Sequence, residues 1–79
     1  KRINPIRLRQ MQERCQAIEE DVARRETEIA ELERALADFK SVEETLRLTG
    51  ALEAARGEVA ALLAEWEDLS QAIEDAGAA

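Results

Sequence analysis

Apolar side chains in this chain return at alternating steps of three and four residues, on two rows separated by a short break. The first row runs Leu8, Met11, Cys15, Ile18, Val22, Arg25, Ile29, Leu32, Leu36, Phe39, with Arg25 alone out of character. The second runs Thr45, Leu48, Leu52, Ala55, Val59, Leu62, Trp66, Leu69, Ile73, Ala76. That alternation keeps one stripe of an α-helix turned toward a neighbour, whereas a strand repeats every second residue. Each row is therefore a helix with a seam to close.

The residues between and around the rows place the ends. Asn4-Pro5 is a helix start, because Asn accepts from free backbone N–H groups and Pro fits the first helical position. Ser41-Val42-Glu43-Glu44 has the form of a capping box, with Ser41 accepting from the Glu44 N–H while Glu44 reaches back. Gly77 is expected to end the second helix. The expected organisation is a basic lead-in over 1–4, helix 1 over about 5–39, a turn at about 40–41, helix 2 over about 42–76, and a tail over 77–79. At ~1.5 Å per residue each helix is roughly 50 Å long.

So short a connection forces the helices to run antiparallel. Folding the rows together sets Phe39 beside Thr45, Leu36 beside Leu48, Ile18 beside Trp66 and Leu8 beside Ala76, so every seam residue finds a seam partner. The fold class is all-α, an antiparallel two-helix coiled-coil hairpin. Composition agrees: charged residues make up 37% and aromatics 3%, so the chain has the side chains for a seam but not for a globular core. Arg25 faces Val59 in this register. Its stem is expected to pack in the seam while its guanidinium turns to Asp21, Glu28 and Glu58. Glu26 and Arg56 are expected to meet across the other edge.

The same composition bears on chemistry. There is no His, so His-based triads and His metal sites are excluded, and no Gly-rich phosphate loop occurs. The carboxylates near the bend, Asp38, Glu43 and Glu44, are of the kind that line any solvated helix, and a hard cation needs convergent ligands. No catalytic residue, cofactor or metal is assigned to this chain. Cys15 lies in the seam as a small apolar residue, and Trp66 is expected to fill the space beside Ile18 and Cys15, the alternative being an exposed Trp that faces a partner. A lone Cys cannot form an intramolecular disulfide, no apolar run is long enough to span a bilayer, and no signal-peptide pattern is present. A cytoplasmic location without membrane contact is the expectation. The chain opens on Lys1-Arg2 rather than Met and reads as part of something larger.

Two surfaces are candidates for contact. The net charge of −7 is unevenly placed: Lys1, Arg2, Arg7, Arg9 and Arg14 stand at the start with only Glu13 among them, and the remainder is strongly acidic. Phosphate contact is therefore expected only at that basic end. Against this, the hairpin brings the basic end beside Glu65, Glu67, Asp68, Glu74 and Asp75, which would neutralise it locally. The second surface is a stripe of small residues on the back of helix 2, Gly50, Ala54, Gly57, Ala61 and Ala64. It is open either to close approach by another helix or to no purpose beyond a tolerated local weakness.

The order of segments also carries a resemblance. A basic lead-in, Asn4-Pro5-Ile6-Arg7-Leu8, precedes a Glu-rich helix containing Ile29-Ala30-Glu31-Leu32-Glu33, then Asp38-Phe39-Lys40-Ser41 at the turn. The second helix closes with Leu62-Leu63-Ala64-Glu65-Trp66-Glu67-Asp68-Leu69. This resembles the C-terminal coiled-coil domain of the ATP-binding-cassette family F proteins, notably the Uup-type ATPases, over roughly residues 5–75. The Trp-Glu-x-Leu segment is its most distinctive part. The resemblance implies a bacterial, non-catalytic accessory domain that contacts DNA or other nucleic acid, the ribosome, or the parent ATPase body. The family's ATP-binding motifs lie in other domains, so none falls on residues here, and the acidic body of this chain departs from the basic surface of the DNA-binding members. Two alternatives stand beside it. One is a self-association coiled coil, in which two hairpins form a homo-oligomer. The other is a factor presenting an acidic tip to an enzyme's metal centre, as in the transcript-cleavage factors, whose local motif is missing here.

Overall fold

The computed structural model describes Ile3–Ala78 and contains two helices, α1 over Pro5–Ala37 and α2 over Val42–Ala78. They lie side by side along their length in a body of 57 × 15 × 14 Å. End to end, the same helices would reach ~100 Å at ~1.5 Å per residue, so the chain folds back on itself as a helical hairpin.

Each end is built as local chemistry requires. At the start of α1 the Asn4 side chain accepts from the Ile6 N–H at 2.8 Å, and Pro5 occupies the first turn where no N–H is needed. At the start of α2 the Ser41 Oγ accepts from the Glu44 N–H at 3.0 Å, and the Ser41 carbonyl accepts from both the N–H and the hydroxyl of Thr45. Only half of the expected capping box forms. The Glu44 carboxylate turns along the helix to Arg47, gripping its guanidinium through two bonds of 2.7 and 2.8 Å, because a bidentate ion pair outcompetes one backbone N–H.

The seam follows the two rows. Met11, Cys15 and Ile18 of α1 and Leu48, Leu52 and Ala55 of α2 are buried, Ile18 most completely at 1% exposure. Other row members are half-buried, including Leu36, Val59, Leu62, Trp66, Leu69 and Ile73. The distribution has a simple cause. Two helices have no third layer to cover them, so at most one member of a facing pair is sealed, and in the pairs Leu8/Ala76, Val22/Leu62 and Arg25/Val59 neither is. In the half nearer the chain ends the sealed members come from α1; in the half nearer the bend they come from α2.

Three expectations about the ends are corrected. Helix 1 stops at Ala37, because Asp38 leaves the helical region at ψ 88° and its N–H turns back to the Ala35 carbonyl at 3.2 Å. Phe39 therefore sits in the connection, 68% exposed, instead of closing the seam against Thr45. Gly77 does not end helix 2, which continues through Ala78; among the described residues no glycine adopts positive φ, so no left-handed cap forms there.

Candidate interaction surfaces

The hairpin has two long edges, each lined by the residues that flank the seam. One carries Arg14, Asp21 and Glu28 from α1 against Glu58 and Glu65 from α2. On this edge Arg14 takes both oxygens of Glu65, Nε to Oε2 at 2.7 Å and a terminal amino group to Oε1 at 2.8 Å. Hydrogen bonding to Arg14 lowers the Glu65 carboxyl below its ordinary value, and the same bonds raise Arg14. Arg25 packs its stem in the seam, pairs one terminal amino group with Glu58, and sets Nε 3.2 Å from Asp21 Oδ1. That Nε is shut off from solvent and lies off the line a hydrogen bond needs, so its contact with Asp21 is electrostatic. Glu28 is not among its partners.

On the other edge Arg56 bonds Glu33 at 2.6 Å, not Glu26 as the pattern suggested. Helical side chains incline toward their own N-terminus, and the N-terminus of α2 is at the bend. The Arg56 stem thus runs toward Glu33, while Glu26, on the antiparallel helix, inclines the opposite way. Farther from the bend, the Trp66 indole N–H donates to Glu19 Oε2 at 2.8 Å. Trp66 lies with Ile18, Val22 and Leu63 around one shallow hollow, and with Cys15 and Ile73 around the next. Trp66 therefore fills the space beside Ile18 and Cys15, and its polar atom is satisfied across the hairpin.

The basic end is only partly available. Arg14 is committed to Glu65, whereas Arg7 and Arg9 are exposed and form no ion pair among the described residues. Lys1 and Arg2 lie outside the described residues. At the bend, Lys40 binds Asp38 at 2.9 Å and Arg47 binds Glu44, so two of the three carboxylates there already hold a cation. Hydrogen bonding to Arg47 also holds the Glu44 carboxyl below its ordinary value.

The chain matches no family model, no curated protein and no solved structure.

The small-residue face of α2 is laid bare along its length. Gly50, Ala54, Gly57, Ala61 and Ala64 are all exposed, and a methyl group added at Gly50 or Gly57 would meet nothing within 4 Å. The glycines thus make no close approach to any other part of this chain. Cys15 is a free, buried thiol in the seam. No described helix is long and apolar enough to cross a membrane.

Two features escaped the sequence reading. Leu63, beside the row member Leu62, is 43% exposed on the edge that carries Trp66. Glu19 became a partner of Trp66, although nothing in a helix-rich acidic sequence distinguishes that carboxylate from its neighbours. The only available signal was its place one residue after Ile18, on the flank of the layer Trp66 occupies.

Proposed function

We infer that this hairpin is a non-catalytic C-terminal coiled-coil domain of an ATP-binding-cassette family F ATPase, cytoplasmic, and used to bind and position. Its root, the end carrying Arg7 and Arg9, would contact nucleic acid or the ribosome, with the parent ATPase body as the other partner for that surface. The observation that carries this reading is the state of those two arginines: exposed, free of ion pairs among the described residues, and set on an otherwise acidic body. Phosphate backbones are repelled by the shaft, so contact is confined to the root and orients the hairpin outward from it.

The test is fluorescence anisotropy of a short labelled RNA or DNA duplex against the chain over a salt series. Each phosphate neutralised contributes about −0.9 to the slope of log K against log salt for a duplex. Arg7→Ala with Arg9→Ala should flatten that slope and weaken binding alike for all sequences. Affinity that ignores both salt and these substitutions argues against the phosphate reading. An ATP-binding-cassette domain directly ahead of Lys1 in the parent sequence would support the family assignment, and a different domain there would overturn it.

A second reading, self-association of two hairpins, is favoured by the bare small-residue face, where nothing opposes another helix within 4 Å of Gly50 or Gly57. Sedimentation across a concentration series separates the two, because a chain that stays monomeric throughout has no use for that face as a dimer contact.

A further inference from the structure

The edge bearing Trp66 is unlike its opposite. On the Arg14 edge, two arginines engage carboxylates on both helices: Arg14 binds Glu65, and Arg25 binds Asp21 and Glu58. On the Trp66 edge two shallow hollows follow the line between the helices from Gln12 and Ile73 to Val22 and Leu63. At ~1.5 Å per residue that groove is roughly 15 Å long, about three helical turns. Its floor is apolar, made by Ile18, Val22, Leu63 and the Trp66 ring around a hollow of about 230 Å³. Its walls carry Glu19 and Glu74. Neither meets an arginine or lysine among the described residues, and Glu19 accepts from the indole. Arg56, on the same edge toward the bend, is held by Glu33, and Arg9 stands beyond the groove at the root.

We propose that this groove is a docking site for a basic amphipathic helix of a protein partner. A greasy channel running parallel to the helices accepts apolar anchors spaced three and four residues apart, and the acidic walls select lysine or arginine on the flanks of such a helix. A second copy of this chain is a poor occupant, because its net charge of −7 would be brought against the same carboxylates. The proposal is independent of the nucleic-acid reading, which concerns the root and not this edge.

Trp66 is the only tryptophan in the chain, so its fluorescence reports on the groove alone. The probe is a synthetic three-turn helical peptide with leucines on one stripe and lysines beside it, compared with the same peptide carrying glutamates in place of the lysines. The full chain should show a saturable blue shift of Trp66 emission with the lysine peptide and none with the glutamate peptide. Leu63→Gln should weaken binding, and Glu19→Lys with Glu74→Lys should weaken it by a factor of about five to ten while admitting the glutamate peptide. Glu28→Lys alters charge on the opposite edge and should leave the binding unchanged. Equal binding of the two peptides, or equal weakening by Glu28→Lys, would overturn the proposal. So would a Trp66 shift driven by protein concentration alone with dimerisation in sedimentation, which would hand the groove to a second copy.

Discussion

Arg14 grips both carboxylate oxygens of Glu65 across fifty-one positions of sequence, joining the first helix to the second near the root of the hairpin. The pair does two things at once. It fixes the register on that edge, and it withdraws one of the basic residues that the sequence offers for contact with phosphate. Both partners are exposed, so the bond is governed by geometry and salt more than by burial.

The first prediction concerns this pair. Glu65 has a folded carboxyl value below the ordinary 4.5, so its contribution is present above the unfolded value and lost as pH falls through the lowered one. Arg14→Ala should return the Glu65 carboxyl, followed by NMR titration, toward its ordinary value. Glu65→Gln should release Arg14 and raise the affinity of the root for nucleic acid; an unchanged or lower affinity would show that Arg14 takes no part in such contact.

Arg25 is the charged member of the apolar row, and it holds Asp21 and Glu58 together. Arg25→Leu leaves these acids facing each other without a cation. The variant should lose up to about 1 kcal/mol of stability at neutral pH and low salt, a loss that fades at high salt or once the carboxylates are protonated. Denaturant unfolding measures it. A large gain in stability would mean that the arginine is kept for specificity and not for holding its edge.

Gly50 and Gly57 sit in mid-helix with open space around them. Replacing each by Ala should stabilise the hairpin by about 1 kcal/mol through helix propensity, and the two effects should add. Thermal unfolding of the single and double variants checks this. A destabilised double variant, or one whose oligomeric state changes, would show that a second helix rests on that face, as would altered association of the bulkier Gly50→Leu with Gly57→Leu.

Ser41 accepts from Glu44 at the start of α2. Ser41→Ala should cost about 1 kcal/mol, and Ser41→Asp should retain most of the stability. Equal stability of all three would assign the start of α2 to packing alone, since the Glu44 side chain is engaged elsewhere.

The two helices, their antiparallel sense and the seam were legible because all three follow from one periodic pattern joined by a short connection. The ends were less legible. A row of apolar residues does not say whether its last member lies in the final turn or just beyond it, and Phe39 falls beyond. Gly77 illustrates the converse: glycine permits a left-handed cap but does not require one, and the helix runs through it. The small-residue face and the basic root were readable as positions, yet their exposure and pairing were not.

What the linear pattern determined, then, is which stripe of each helix faces inward and where the chain reverses, because burial of apolar surface depends on the face a residue occupies. What the tertiary structure decided is which charge meets which: Arg56 with Glu33 in preference to Glu26, Arg14 with Glu65, Trp66 with Glu19. Those choices depend on axial offset and on the inclination of each side chain toward its own helix start, quantities set only when two antiparallel helices lie together. The same packing placed two arginines among the carboxylates of one edge and left Glu19 and Glu74, beside the apolar groove of the other, without a cation among the described residues.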